Sequence, residues 1–429
     1  MTRTEDTKEF MRVLKEQACW ANVCTEPGMV AYMASKAAAL AGEEPVTIEV
    51  HLSGGILKNA LSAGLPHTTR KGPDVAAAAG TIARKPEKGL TILGEISEEE
   101  MTEALRIVDQ GRVIVKWDAR HDGIYGKCIL KTANHTAEVK VSGSHTGLAE
   151  LILDGSAIAV SGSSDGSSGL SSLRDWTFNR LIDVVMALDP SEFGWLAEGA
   201  DSCVRLSEAG SASSATSLGA IPEVACTVLR CDSTSLTEIA SQAFRAIDTR
   251  MSGLPWPVVT SAGSGNQGIM LSIPVWLIAS RLGLSDEKKL RAVVLAHGVN
   301  MLVKAYTGEV SASCGGISVG AGLAASICWM AGGSREQMAE AVTEALASLC
   351  GMICDGAKAT CALKGSLAVM AGIIAGAGAS ESTAKLRNQG VVGESIDETL
   401  ERMEAMSRRV FSGSDTVLLE LAGIDRVDD

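Results

Sequence analysis

Three cysteines occupy contexts in which a thiol can act as a metal ligand or a nucleophile. Cys24 precedes Thr25-Glu26-Pro27, Cys314 precedes two glycines, and Cys354 precedes Asp355-Gly356. A cysteine at the start of a helix lies beside free backbone N–H groups and the positive end of the helix dipole, which favour its thiolate form. We therefore expect each thiol at a turn that begins a helix. None has the CxxC spacing of a structural zinc site.

The three thiols also suggest a particular cofactor. Isolated cysteines from distant segments can bind three irons of a cubane 4Fe-4S cluster and leave the fourth iron open to a substrate, as a Lewis acid. The alternative is that they are buried structural cysteines, the ordinary fate of a small apolar thiol. Spacing alone leaves both interpretations open. The eleven cysteines are scattered and odd in number, so we expect no disulfide framework.

Two glycine-rich turns carry side chains suited to binding a carboxylate. The turn Ser53-Gly54-Gly55 directs Lys58 and Asn59 outward at the start of a helical piece, which makes Lys58 a candidate base or carboxylate clamp. The loop Ser264-Gly265-Asn266-Gln267 precedes a helix at Leu271. Its backbone N–H groups and amide side chains fit a carboxylate or the edge of a cluster. Either turn could instead serve only to connect its neighbours.

Two histidines have contrasting contexts. His145 follows a predicted strand, where it can be either a surface residue or a catalytic one. His297 shares a predicted helix face with Leu290, Val293 and Val294, which is typical of a core histidine with satisfied hydrogen bonds. Of the two histidines, only His145 is therefore a catalytic candidate.

The elements that must position these residues predict an α+β fold, a mainly helical body with a small sheet-bearing subdomain. Period-two alternation predicts strands at 46–52, 112–117, 124–132 and 137–142. The serine- and glycine-rich stretch 159–172 is typical of a hinge. The predicted units are residues 1–95, an N-terminal helical segment with one cluster cysteine, residues 96–158, the α+β subdomain, and residues 159–429, a helical iron-sulfur catalytic domain.

Composition restricts the partners. The 429 residues carry a net charge of −13 and no basic run, which argues against a nucleic-acid ligand and favours a small-molecule substrate. The polar N-terminus lacks the apolar region of a secretory signal, so we expect a cytoplasmic protein. The most apolar stretches, 317–333 and 367–379, are shorter than a bilayer span, and we expect buried helices there and no membrane.

Six motifs, taken in order, resemble the series of the bacterial and archaeal L-cysteine desulfidase family, which is related to the alpha part of iron-sulfur L-serine dehydratases. The resemblance spans nearly the whole chain and is distinctive in combination. Two positions depart from the usual family pattern, Val23 in place of glycine and Gly147 in place of asparagine. The motifs are Cys24-Thr25-Glu26-Pro27, Ser53-Gly54-Gly55-Ile56-Leu57-Lys58-Asn59, Ser144-His145-Thr146, Gly263-Ser264-Gly265-Asn266-Gln267-Gly268, Cys314-Gly315-Gly316 and Cys354-Asp355-Gly356-Ala357-Lys358.

The resemblance implies that Cys24, Cys314 and Cys354 bind a 4Fe-4S cluster with one open iron. Cys361 is an alternative ligand, because the related dehydratases place one near that position. The implied reaction is the breakdown of the amino acid L-cysteine to pyruvate, ammonia and hydrogen sulfide, without pyridoxal phosphate. We further expect a homo-oligomer, a dimer.

These expectations assign roles to the polar candidates. Lys58 and His145 are the catalytic candidates. The predicted substrate-binding residues are Ser53, Asn59, Ser264, Gly265, Asn266 and Gln267.

Three other functions fit parts of the sequence. The same cluster could support an L-serine dehydratase, or a non-catalytic sensor of cysteine or of redox state. The third is a pyridoxal phosphate lyase, because Ser264-Gly265-Asn266 resembles the substrate loop of that class. Lysine placement argues against it. That class has its Schiff-base lysine some tens of residues before the loop, yet no lysine lies between Lys140 and Lys288.

Overall fold

Two hydrophobic cores organise the chain. The structure is a computed structural model that describes residues 3–160, 169–212, 235–381 and 385–424. One core lies between a sheet and its covering helices and draws on residues from Ala21 to Leu151 together with Leu419. The other fills a larger bundle of helices. The α+β class with a mainly helical body is therefore confirmed.

A six-stranded mixed sheet forms the smaller unit. Its strand order is β3-β2-β4-β5-β6-β7, and the β2–β3 pair is parallel while the other pairs are antiparallel. Alternate residues of β2 and β5 are buried, because helix α2 packs on one face of the sheet. The strands are β2 Thr47–Leu52, β3 Val113–Trp117, β4 Tyr125–Lys131, β5 Thr136–Ser142, β6 Leu148–Leu153 and β7 Ser156–Ala157.

Helices account for most of the remaining described residues. A two-stranded ladder of β1 Trp20–Ala21 with β8 Val258–Val259 ties the N-terminal region to the helical body. The first helices are α1 Arg3–Gln17, α2 Thr25–Ala41, α3 Gly54–Ala60, α4 Pro73–Ala83 and α5 Glu98–Asp109, with a 3-10 segment at Pro86–Glu95. Those that follow are α6 Phe178–Ala187, α7 Gly194–Ala212, α8 Ser235–Met251, α9 Gly265–Arg281, α10 Asp286–Thr307, α11 Gly315–Met330, α12 Arg335–Leu349, α13 Cys361–Glu381, α14 Ile396–Arg409 and α15 Ser414–Leu421.

The sheet draws on both sides of the boundary predicted at residue 96. Strand β2 lies inside the segment 1–95, yet it pairs with β3 on one side and β4 on the other. Local alternation predicts a strand but not its partners, which come from distant parts of the chain. The division into three units stays a prediction, with β2 shared between the first two.

Two helix starts differ from the expectation. Pro27 in the first turn of a helix predicts Thr25 or Glu26 as its cap. The residue that caps α2 is instead Cys24, whose carbonyl accepts the hydrogen bond from the Gly28 N–H at 3.1 Å. The segment predicted as a loop before Leu271 is instead the first two turns of α9, which begins at Gly265.

The sequence predicts serine caps at the starts of three helices, and the structure confirms them. Ser285, Ser334 and Ser395 each accept a hydrogen bond from the backbone N–H three residues on. Of the predicted hinge 159–172, residues 161–168 lie outside the described part of the chain. The segment Gly169–Leu173 forms a 3-10 turn, so the end of the predicted hinge is structured.

Small residues let two helices of the body approach closely. Gly320 of α11 faces Gly372 of α13, and Ala324 of α11 faces Gly376. Among the described helices, α13 alone is long and apolar enough to cross a membrane, although a partly buried core helix passes the same test. Its inner face packs in the body, while Leu367 and Ile374 are exposed, so the buried helix predicted here is buried on one side only.

The close approach of α11 and α13 predicts unequal effects of two glycine-to-alanine changes on one helix. In Gly372→Ala the new Cβ lies 2.7 Å from the Gly320 carbonyl oxygen, so we expect the free energy of unfolding to fall by about 1–3 kcal/mol. In Gly378→Ala the Cβ meets nothing within 4 Å, so better helix propensity raises stability by up to about 1 kcal/mol. Urea denaturation of both variants measures the difference, and equal changes would contradict the packing.

Candidate functional site

Four cysteine thiols line one cavity between the N-terminal elements and the helical body. They are Cys24, Cys314, Cys354 and Cys361. The cavity has about 100 Å³ of open space. Roughly 10–15 Å³ of such space is enough for one water molecule. Polar side chains also reach its wall: Glu26, Asn59, Arg250, Lys304, Glu309 and Lys364. The cavity is therefore large enough for a group bigger than a single metal ion.

A backbone bridge places Cys314 next to Cys354. The helices α11 and α12 form a hairpin, and Ser313 pairs with Ile353 across its open end. The Cys314 N–H donates to the Met352 carbonyl at 3.0 Å, and the Cys354 N–H donates to the Ala312 carbonyl at 2.8 Å. Cys314 caps α11 as expected. Cys354 does not begin a helix, because the chain runs through a turn before α13 starts.

The other two thiols come from separate helix starts. Cys24 caps α2, and its Sγ donates to Glu26 Oε2 at 3.1 Å. Cys361 is the first residue of α13, and its Sγ lies 3.7 Å from the Gly356 carbonyl oxygen. The four thiols thus reach the cavity from three distant segments of the chain.

Burial keeps three of these thiols, those of Cys24, Cys314 and Cys361, protonated when no metal is bound. It raises the pKa of Cys24 well above its ordinary value, and the Glu26 carboxylate adds to that shift. Burial, followed by the nearby Cys354 thiol, raises the pKa of Cys314. Burial raises the pKa of Cys361 to about 12, with Cys354 and Cys314 adding to the shift. Thiols that influence one another in this way would exchange protons for metal on binding.

Four thiols around one cavity are compatible with a cluster and do not form a single-ion site. Within residues 3–160, 169–212, 235–381 and 385–424, no three His, Cys, Asp or Glu side chains converge as ligands of one metal ion would. A cubane cluster takes one thiolate at each of its irons, so its ligands surround it and need not converge on a point. Thiols from separate segments around one cavity meet that requirement.

Two predicted site residues lie behind the cavity wall. The Lys58 ammonium donates to the Cys354 carbonyl at 3.0 Å and forms an ion pair with Asp415 at 2.5 Å. The Ser53 hydroxyl donates to the Gly123 carbonyl at 2.6 Å. Neither residue lines the cavity. These contacts make Lys58 a residue that holds Cys354 in place rather than an open base or carboxylate clamp.

The first turn of α9 brings three of its predicted residues to the cavity. Ser264, Asn266 and Gln267 line it, while Gly265 packs beneath them against the Arg250 guanidinium. The Asn266 Oδ1 accepts a hydrogen bond from Arg250 Nη1 at 3.0 Å. This turn therefore presents polar side chains to the cavity, and a buried arginine fixes their orientation.

Glu26 is a buried carboxylate in the wall. Asn59 Nδ2 donates to its Oε1 at 2.8 Å. Burial alone would raise the pKa of Glu26, but the nearby His145 and the hydrogen bonds from Cys24 and Asn59 hold it below its ordinary value. Glu26 is therefore ionised at neutral pH. Asn59 also reaches toward Cys354, with its Oδ1 at 3.8 Å from the Sγ.

The sheet-bearing unit contributes a histidine behind the same wall. His145 lies in the turn between β5 and β6 and is 5% exposed, with Nδ1 at 3.9 Å from Glu309 Oε1. Its Nε2 has no hydrogen-bond partner among the described residues. Burial lowers the pKa of His145, although Glu26 opposes the shift. His145 is thus buried rather than at the surface, and Glu309 separates it from the cavity.

Several charged residues of the cavity wall were assigned no role from the sequence, among them Arg250, Lys304 and Glu309. Lys304 had a readable signal, because it interrupts an apolar helix and has no acidic residue three or four positions away. Arg250 and Glu309 had none, since no motif or spacing in their local sequence sets them apart from surface charges. The expectation for His297 also needs correction. It is fully buried, but neither ring nitrogen has a partner among the described residues, and burial lowers its pKa to about 4.

Comparison with known proteins identifies the family of this chain. The family model described as "Serine dehydratase alpha chain" matches residues 87–420. The chain belongs to this family. It is 33% identical over 408 residues to a UPF0597 protein of Moorella thermoacetica, covering 95% of each chain. A UPF0597 protein of Caldanaerobacter subterraneus subsp. tengcongensis is also 33% identical, over 413 residues, covering 95% of this chain and 96% of its own.

Membership of the serine dehydratase alpha chain family supports a lyase-like function for the cavity. A third relative, a UPF0597 protein of Aliivibrio fischeri, is 32% identical over 424 residues and covers 96% of this chain. These relatives carry names that specify no substrate. The matched residues include Cys314, Cys354 and Cys361 but not Cys24.

A glycine beside His145 and Glu309 allows a matched test of this corner of the site. Gly263 has a φ of 71°, and a Cβ there would lie 2.6 Å from Glu309 Oε1. Gly283 has a φ of 65° with nothing within 4 Å. Both alanine variants should lose about 1–2 kcal/mol of unfolding free energy from backbone strain.

Only Gly263→Ala should also disturb the site. We expect its kcat/KM for the amino-acid substrate to fall at least about tenfold, since small misplacements of reacting groups slow a reaction strongly. Gly283→Ala should keep the unaltered value. Chemical denaturation and steady-state kinetics on both variants provide the check, and an unchanged kcat/KM in Gly263→Ala would refute a role for Glu309 and His145.

Proposed function

We propose that this protein is an iron-sulfur-dependent lyase that converts L-cysteine to pyruvate, ammonia and hydrogen sulfide. The observation that carries the proposal is the meeting of Cys24, Cys314 and Cys354, from three distant segments, at one cavity. Family membership supports a dehydratase-like elimination, and the motif series from Cys24 to Lys358 supports L-cysteine as the substrate. The chain has ample polar groups at this cavity to bind an amino acid.

Cys24, Cys314 and Cys354 would hold a 4Fe-4S cluster. When bound, it supplies a Lewis-acid iron for the sulfur that leaves the substrate. Cys361 is the fourth thiol at the cavity and is the alternative ligand to Cys24. The bonds that Cys314 and Cys354 make across the hairpin fix both thiols before any metal arrives, which is the preorganisation that a labile cluster needs.

The chain's own residues then bind the amino acid and move its protons. The ionised Glu26 carboxylate suits the α-ammonium, and Asn59 holds that carboxylate in place. Glu309 lies on the wall with the neutral His145 behind it, so the two can accept the Cα proton in turn. Loss of this proton and departure of hydrosulfide form the Cα–Cβ double bond of 2-aminoacrylate. Its hydrolysis outside the site gives pyruvate and ammonia.

L-Serine is the second candidate substrate. The family model that matches the chain is described by serine dehydration, and the same groups would bind L-serine, with hydroxide in place of hydrosulfide as the leaving group. The two substrates differ only at the β atom. The ratio of their kcat/KM values therefore decides between the two activities.

Anaerobic reconstitution with iron and sulfide tests the proposed function. We expect about four irons per chain, and sulfide and pyruvate released in equal amounts from L-cysteine. Turnover of L-serine at a higher kcat/KM would assign the dehydratase activity instead. Ligand binding without product from a fully loaded protein would contradict both lyase activities and identify a sensor.

Single cysteine variants test the ligand set. Alanine at Cys24, Cys314 or Cys354 should lower bound iron and abolish turnover, because each removes a thiolate ligand. Cys361→Ala should keep the iron, and the matched control Cys128→Ala removes a buried thiol of the sheet core, far from the cavity. Iron loss in Cys361→Ala with iron retained in Cys24→Ala would reassign the third ligand to Cys361.

A further inference from the structure

Lys304 is a buried cation of the cavity wall that has no hydrogen-bond or ion-pair partner among the described residues. It lies in the last turn of α10, is 3% exposed and lines the cavity. Its neighbours along the helix, Met301, Leu302 and Val303, are buried and apolar. Among the described residues, no side chain or backbone group forms a hydrogen bond or ion pair with its ammonium. A buried charge without a partner lowers the stability of the fold unless a ligand of opposite charge binds to it.

The other two cations of the wall form hydrogen bonds with the protein itself. Arg250 donates to Asn266 Oδ1 and to the Val23 carbonyl. Lys364 donates to the Ile353 carbonyl at 2.8 Å and to Asp355 Oδ1 at 2.6 Å. These bonds fix the protein's own backbone and side chains. Of the three cationic side chains that line the cavity in the described residues, Lys304 is therefore the one whose charged group makes no hydrogen bond or ion pair there. Arg250 is held at both Nη atoms, and only its Nε, which faces Gly265, has no partner among those residues.

The surroundings of Lys304 favour an anionic partner. Burial lowers its pKa, while Cys354, Glu309 and Cys314 oppose the shift. A carboxylate bound against the ammonium would oppose it further and stabilise the charged form. The Glu26 carboxylate lies elsewhere on the same wall and suits the ammonium of the same ligand. The cavity thus offers both a carboxylate and an ammonium group to a zwitterion.

We propose that Lys304 binds the α-carboxylate of the amino-acid substrate and so restricts the site to amino acids with a free carboxylate. This inference rests on the proposed function for the identity of the substrate. Lys304 then acts as a binding and specificity residue, and proton removal stays with Glu309 and His145. A charge-assisted hydrogen bond in a buried site supplies both affinity and orientation.

Binding to the anaerobically reconstituted protein tests this role. Calorimetry on rapid addition of L-cysteine or of L-cysteine methyl ester, whose carboxylate is masked, compares the unaltered protein with Lys304→Met, Lys304→Arg and Lys288→Met. Lys288 is an exposed lysine at the other end of α10 and serves as the matched control. Iron content and the cluster absorption spectrum are recorded for every variant, so that loss of the cofactor is not mistaken for loss of binding.

The expected result is specific to the carboxylate. Lys304→Met should weaken binding of L-cysteine about ten- to hundredfold, the range for hydrogen bonds to charged groups, and change binding of the ester less than about threefold. Lys304→Arg should retain most of the affinity, and Lys288→Met all of it. Because Lys304→Met removes an unpaired buried charge, its unfolding temperature without substrate should not fall.

The outcomes separate the two proposals. Equal affinity of Lys304→Met and the unaltered protein for L-cysteine overturns the role of Lys304, whether or not turnover is seen. A Lys304-dependent affinity with no sulfide or pyruvate formed upholds that role and overturns the lyase. If the loaded, unaltered protein does not bind L-cysteine, both proposals are overturned.

Discussion

The site depends on a short backbone bridge at the open end of the α11–α12 hairpin. Two hydrogen bonds, from Cys314 N to the Met352 carbonyl and from Cys354 N to the Ala312 carbonyl, join segments that are forty residues apart. They hold two thiols beside one cavity without any metal. The Lys58 ammonium strengthens the arrangement by binding the Cys354 carbonyl, and its own charge is balanced by Asp415.

The packing behind this bridge follows from composition. With only 3% aromatic residues and 45 glycines, helices must meet through small side chains. Gly320 against Gly372 brings α11 and α13 close together, and this close contact places the Cys361 thiol at the start of α13 near those of Cys314 and Cys354. The cavity therefore lies at the polar ends of helices that pack tightly along their small residues. The N-terminal elements supply the opposite wall through Cys24, Glu26 and Asn59.

Much of the fold could be predicted from local patterns, because strand alternation, serine caps and glycine-marked helix starts are local signals. The partners of β2 could not, since they depend on pairing between distant segments. Within the site, the cysteine motifs identified residues that do line the cavity, while Lys58 and Ser53 lie behind it. A glycine-rich turn exposes side chains in isolation, but here α15 and the β3–β4 connection cover it through Asp415 and Gly123.

The positions of the charged residues in the cavity wall also could not be predicted from local sequence patterns. A lysine inside an apolar helix ordinarily extends its ammonium to solvent. Lys304 cannot do so, because α10 lies inside the bundle, and only the packed structure reveals that its ammonium ends in the cavity. His145 was similarly undecided from sequence, and its burial beside Glu309 follows from the way the sheet-bearing unit contacts the body.

The central claim is that protein thiols bind three irons of one cluster and leave the fourth to the substrate. Mössbauer spectroscopy of protein reconstituted with 57Fe, recorded before and after addition of L-cysteine, tests it most directly. If the fourth iron binds the substrate, the signal of one iron in four shifts while the other three stay unchanged. Four irons that all keep their signals, or iron bound as isolated ions, would contradict it.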